Sequence, residues 1–148
     1  CDGARERTDF VGTHALNLLE RTEIGTTPLT EHALCGLRME VDAGLTDPIE
    51  NLSIFLSGVT AEGTLFEFAS ELRDSVRVED IAGALEAEGE NLKVLLSFDL
   101  SIWLHGLDID SGELTNGIVF VDESNNKDLL DVFETNFHES VDLLKDEN

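Results

Sequence analysis

Three carboxylates in the stretch FDLSIWLHGLDIDSGEL, residues 98–114, have the types and spacing that suit a hard cation. Asp108, Asp110 and Glu113 alternate with other residues around a turn at Gly112, and oxygen ligands presented in this way are those that Ca²⁺ prefers. The match to a complete calcium loop is partial, because the glycine comes early and a further oxygen ligand before it is missing. The sequence therefore offers calcium as a cofactor to test and predicts no other.

Other side chains with catalytic or metal-binding chemistry are dispersed along the sequence. No two histidines have the i, i+4 spacing of a helical metal pair, and the sequence has no G-x-S-x-G elbow or glycine-rich phosphate loop. Cys1 and Cys35 belong to no C-x-x-C motif. This dispersal predicts a non-enzymatic protein, with catalysis by an unassigned pair of carboxylates as the alternative. The histidines are His14, His32, His105 and His138.

Period-two alternation of apolar and polar residues dominates the middle of the chain. Leu37, Met39 and Val41 alternate with charged residues, which is typical of a half-buried strand. Several runs of this kind, separated by turn residues, predict a mainly β protein. We expect an antiparallel β-sandwich, Ig-like or jelly-roll-like, because the sequence has no long alternation of strand and helix. The predicted strands are 34–43, 52–58, 64–69, 75–81, 91–100 and 117–122.

The hydrophobic period changes near the end of the chain. Apolar residues recur every three to four positions over 125–145, and this spacing predicts one C-terminal amphipathic helix. Its apolar stripe would pack on the sheet or, alternatively, bind a partner protein. We expect a single β-rich domain over 10–148 that includes this helix. The stripe consists of Leu129, Phe133, Phe137, Val141 and Leu144.

The charge balance narrows the possible partners. The chain has 32 acidic and 9 basic residues, a formal net charge of -23, and no cluster of lysines or arginines. Such a surface repels phosphate backbones and anionic lipid headgroups, so we expect no nucleic-acid binding and no electrostatic docking on a membrane. The acidity would keep an extracellular protein soluble, hydrate a protein in high salt or collect divalent cations. The composition leaves these three interpretations open.

The first residue is Cys1, and a polar run follows it through Asp9. A chain that begins in this way resembles the mature form of bacterial lipoproteins, in which the cysteine thiol carries a diacylglycerol. The resemblance implies lipidation at Cys1, a flexible tether over 1–9 and a location in the cell envelope or on the extracellular surface. The alternative is a fragment, or a recombinant chain, that happens to begin at cysteine.

Two functional hypotheses follow from these features. The first is a non-enzymatic, lipid-anchored cell-envelope protein that acts as a structural or interaction module with a protein partner. The second is a subunit of an extracellular filament or sheath, in which the N-terminal segment completes the sheet of a neighbouring copy by strand addition. The residues expected to mediate that addition are Phe10, His14, Leu16 and Leu18.

Overall fold

A computed structural model of the chain describes residues 14–26, 33–34, 36–79, 85–86 and 94–145. Contacts divide the chain into two compact units. The first unit takes its described residues from within 1–38, 77–98 and 142–148. The second unit comprises 39–76 and 99–141.

Short strands make up most of the regular structure, so the predicted β-rich character is confirmed. Three two-stranded pairs account for six of the strands. In the first unit, β1 (Ala33–Leu34) pairs antiparallel with β6 (Leu85–Glu86). The other two pairs are β2 (Gly36–Val41) with β5 (Asp74–Glu79), and β7 (Val94–Phe98) with β10 (Val141–Lys145).

The second unit contains a four-stranded sheet in the order β3-β4-β9-β8. Its strands are β3 (Ile54–Val59), β4 (Leu65–Ser70), β8 (Leu114–Thr115) and β9 (Ile118–Val121). Strands β3 and β4 form an antiparallel hairpin, as do β8 and β9, but β4 and β9 pair in parallel. The expectation of an antiparallel arrangement is wrong for this pair. A parallel pair needs a long crossover, and the long connection from β4 to β9 supplies one that local periodicity does not reveal.

Two α-helices and a single 3-10 turn belong to the described part of the second unit. Helix α1 is Leu100–Trp103, the 3-10 turn is Ile109–Ser111, and helix α2 is Lys127–Glu139. The predicted helix over 125–145 is therefore too long at its C-terminal end. The Ser140 N–H and hydroxyl both donate to the Phe137 carbonyl, and the chain then enters β10. The run after Ser140 fits either period, and backbone pairing with β7 favours the strand.

Helix α2 packs on one face of the four-stranded sheet, and this contact forms the core of the second unit. The Phe133 ring stacks on Phe68 with a centroid separation of 4.6 Å, and Trp103 meets Phe133 edge-on at 5.5 Å. The Trp103 indole N–H donates to the Ser140 hydroxyl, and Phe137 lies 5.3 Å from the indole. The prediction that the helical stripe serves the core is confirmed for Phe133 and Phe137, which are both buried.

Candidate interaction surface

The four-stranded sheet has a second face that helix α2 does not cover. Side chains alternate between the two faces of a strand, so the neighbours of Phe66 and Phe68 in sequence point away from the helix. We call this side the outer face. Most of its members are partly or largely exposed, in contrast to the helix side. The outer face consists of Phe55, Ser57, Val59, Leu65, Glu67, Ala69, Ile118 and Phe120.

One end of the outer face presents a row of three aliphatic side chains, two of them exposed. Val59 and Leu65 are register partners across the β3–β4 hairpin, and Leu65 is the register partner of Ile118 in β9. Directly opposed residues have Cβ atoms about 5 Å apart, so the three side chains form one continuous row. Val59 is 60% exposed and Leu65 is 51% exposed. A contiguous apolar row of this kind is more informative than single exposed leucines, because it offers a surface on which a partner can pack.

Strand β3 is an edge of the sheet. It pairs with β4 on one side, and none of the other described strands pairs with it on the other side. Its sequence is IFLSGV, which contains no charged residue and no proline. Natural proteins usually protect an edge strand with lysines, proline or a bulge, because an unprotected edge accepts another strand. β3 has neither of the first two protections along its six residues.

A carboxylate lies at the end of β3, close to the apolar row. Asp110, on the 3-10 turn, accepts a hydrogen bond of 2.7 Å from the Thr60 hydroxyl, directly after β3. Hydrogen bonds from the Thr64 and Thr60 hydroxyls hold the pKa of Asp110 below its ordinary value, so this carboxylate stays ionised at neutral pH. The segments 52–72 and 99–126 together contain nine carboxylates and neither lysine nor arginine. All the lysine, arginine, aspartate and glutamate side chains in these two segments, which contain the row, are therefore acidic.

The residues predicted as calcium ligands each have other contacts. The Asp110 carboxylate binds Thr60, the Asp108 carbonyl accepts from Ser111, and the Glu113 backbone exchanges two hydrogen bonds with the Asn126 side chain. In the part of the chain that the structure describes, no three carboxylate, imidazole or thiol side chains are grouped so that they could hold a metal ion. Calcium binding by this loop stays a prediction, which melting in millimolar Ca²⁺ would test.

The predicted strand-addition segment is only partly described. Leu16 is half-buried and Leu18 exposed in an irregular stretch that ends in a turn, while His14 is exposed. Phe10 and the predicted lipidation site Cys1 lie outside the described residues. Within the described ranges, the helices are too short or too polar to cross a bilayer.

A second feature of the surface is an open groove of about 500 Å³ that contains one arginine. The Arg73 Nε lies 3.0 Å from Asp42, and its Nη1 donates to the carbonyls of Glu71 and Leu72. Its Nη2 donates to the Asn51 carbonyl at 3.0 Å. The guanidinium therefore links the loop before β3 to the end of β4, and these bonds commit it to the fold rather than to a bound anion. The groove is lined by Glu40, Val41, Asp42, Arg73, Asp74 and Ser75.

We expect Arg73→Lys to lower the free energy of unfolding by about 1 to 2 kcal/mol. A lysine keeps the charge but cannot reproduce the planar fork that reaches several carbonyls, and the partial exposure of the site moderates the loss. Urea denaturation measures the change. Asp42→Asn is the matched variant and should cost less, because the three carbonyl contacts of Arg73 survive it. An Asp42→Asn loss equal to that of Arg73→Lys would show that the carboxylate alone carries the effect.

Comparison of the chain with protein-family models, with curated proteins and with solved structures gives no match. Only its geometry therefore supports the interaction surface. The sequence contained a signal for it: among the predicted strands, 52–58 is the one without a charged side chain. Its place at the edge of the sheet follows only from the strand order.

Proposed function

We propose that this protein is a non-enzymatic interaction module that receives an extended segment of a partner protein along β3. The observation that carries the proposal is the uncharged edge of Ile54–Val59 beside the row of Val59, Leu65 and Ile118, of which the first two are exposed. An edge strand offers backbone hydrogen bonds for affinity, and neighbouring apolar side chains supply the specific contacts. The rigid support comes from helix α2, which packs on the other face of the same sheet.

The proposal places this module in the cell envelope, anchored through a lipid on Cys1. The support is the resemblance of Cys1 and the polar run over 1–9 to mature bacterial lipoproteins. In the same proposal, residues 10–148 form one folded body. The strand pairs outside the four-stranded sheet contribute to an Ig-like or jelly-roll-like sandwich. One acyl chain gives reversible membrane binding, whereas two or more give a stable anchor.

Mass spectrometry of the N-terminal peptide from the native membrane fraction tests the anchor. We expect the mass of a diacylglyceryl group on Cys1, and we expect Cys1→Ser in the natural gene to release the protein from the membrane. Cys35→Ser is the matched control, because it removes the only other thiol and should leave the protein membrane-bound. An unmodified Cys1 in membrane-bound protein would contradict the lipid anchor.

The same β3 edge supports a second candidate, a filament or sheath subunit completed by the N-terminal segment of a neighbouring copy. Deletion of residues 1–20 separates the two functions. A tethered module keeps its fold and loses only its anchor, whereas a filament subunit stops assembling. Electron microscopy of the native envelope, together with sedimentation of the purified protein, distinguishes these outcomes.

A further inference from the structure

We propose that β3 binds a partner segment in which lysine or arginine alternates with aliphatic residues, added as a further strand of the four-stranded sheet. This inference rests on the proposed function as an interaction module and names the chemistry of the partner. It draws on three observations: the edge of β3 with which no other described strand pairs, the apolar row beside it and the absence of lysine and arginine from the segments 52–72 and 99–126.

The geometry of the sheet sets the alternation of the partner. A strand added at the edge lies about 4.8 Å from β3, and its side chains point alternately to the two faces of the sheet. Every second side chain would therefore lie on the outer face beside Phe55, Ser57 and Val59. Aliphatic side chains at these positions would extend the row that Val59 and Leu65 begin, and they would remove its exposed apolar surface from water.

The charge of the surface determines which residues alternate with the aliphatic ones in the partner segment. The side chains that alternate with the aliphatic ones point away from the outer face. Asp110, which accepts a hydrogen bond from Thr60 directly after β3, and Glu62, in the turn that follows, are both exposed at that end of the strand. The chain as a whole carries a formal net charge of -23, so an acidic segment is repelled as it approaches the edge. A segment with lysine or arginine at alternate positions is attracted instead. Electrostatic complementarity of this kind raises the association rate and selects the partner.

Binding of a synthetic peptide to the full chain, residues 1–148, tests the inference. The probe is a fluorescent peptide of about eight residues in which valine and lysine alternate, measured by anisotropy in about 0.15 M salt. We expect saturable binding at one peptide per chain. The double variant Val59→Ser/Leu65→Ser should weaken it by about tenfold, equivalent to ~1.4 kcal/mol. Leu45→Ser is the matched control, because Leu45 is 81% exposed but lies outside the sheet, and it should leave the affinity within about twofold.

Three further peptides separate strand addition from simple charge attraction. A peptide with the same residues in block order keeps the charge but loses the alternation, and a peptide with proline at alternate positions cannot pair with β3. A third peptide replaces lysine with glutamate. We expect all three to bind at least about tenfold more weakly than the alternating peptide. Circular dichroism of the serine variant confirms that its fold is unchanged.

Equal affinity for the block-order peptide, or an unchanged affinity in Val59→Ser/Leu65→Ser, would overturn the inference. Sedimentation that shows a dimer through the β3 edge would also overturn it, because a second copy would then be the occupant. These results leave the lipid anchor untouched, since that part of the proposed function depends on the mass of Cys1. An unmodified Cys1 together with normal peptide binding would contradict the lipid anchor and support strand addition at β3.

Discussion

Phe133→Ala lowers the free energy of unfolding by about 3 to 5 kcal/mol, the largest loss that we expect from a single substitution here. The Phe133 side chain is fully buried, stacks on Phe68 at 4.6 Å and meets the edge of Trp103 at 5.5 Å. Alanine at this position loses the transfer free energy of the ring, and it leaves a cavity that the two other aromatic rings cannot fill without moving. Aromatic contacts add about 0.5 to 1.5 kcal/mol per pair to that loss.

Tryptophan fluorescence during urea denaturation measures this loss of stability in the second unit, where Phe133 lies. Trp103 is the only tryptophan in the chain and contacts Phe133 directly, so its emission reports the core of the second unit. Val132→Ala is the matched control on the same helix, because Val132 is 41% exposed. We expect it to change stability by less than about 0.5 kcal/mol, since surface substitutions seldom do more. Equal losses in the two variants would mean that helix α2 does not pack through Phe133.

Asn126→Ala has the second-largest expected effect, a loss of about 3 to 4 kcal/mol. The Asn126 amide nitrogen donates to the carbonyls of Glu113 and Phe120, and its amide oxygen accepts from the Glu113 N–H at 2.7 Å. Each hydrogen bond contributes about 0.5 to 1.5 kcal/mol. Asn126 also has a φ of 48°, a left-handed conformation that costs alanine a further 1 to 2 kcal/mol or so.

Asn116→Ala isolates the backbone part of that loss. Asn116, in the turn between β8 and β9, has a φ of 54° and is exposed. Alanine there should cost only about 1 to 2 kcal/mol, because the strain is present without the three side-chain hydrogen bonds. Thermal or urea unfolding of both variants gives the difference. If the two substitutions cost the same, the Asn126 side chain contributes nothing and the start of helix α2 is held by other contacts.

These two predictions bear on the interaction surface because the same packing creates it. Phe133 fixes helix α2 on one face of the sheet, and Asn126 fixes the start of that helix against the β8–β9 hairpin. With the helix held there, the row of Val59 and Leu65 is left on the opposite side. A variant that loosens α2 should therefore weaken peptide binding at β3 as well as stability, whereas Val59→Ser/Leu65→Ser should affect binding alone.

Local patterns in the sequence were sufficient for much of the second unit. Period-two alternation predicted strands at 52–58 and 64–69, which closely match β3 and β4, because alternating burial is visible within a single strand. The apolar stripe that includes Phe133 and Phe137 predicted a helix on the sheet for a similar reason. The stripe also continued to Val141 and Leu144, where the chain forms β10. Pairing with β7 decides that segment, and a partner distant in sequence leaves no local trace.

Three properties could be predicted from the residues alone: the β-rich character, the strongly acidic composition and the positions of the aromatic residues that fill the core. Composition and short-range periodicity carry this information, because the alternation of apolar and polar residues along an element shows which of its faces is buried. Three features became visible only in the fold: β4 and β9 run parallel, Asn126 joins the start of helix α2 to the β8–β9 hairpin, and β3 lies at an edge. These features depend on which segments meet across long connections. They follow from the packing of the whole unit rather than from any one stretch of it.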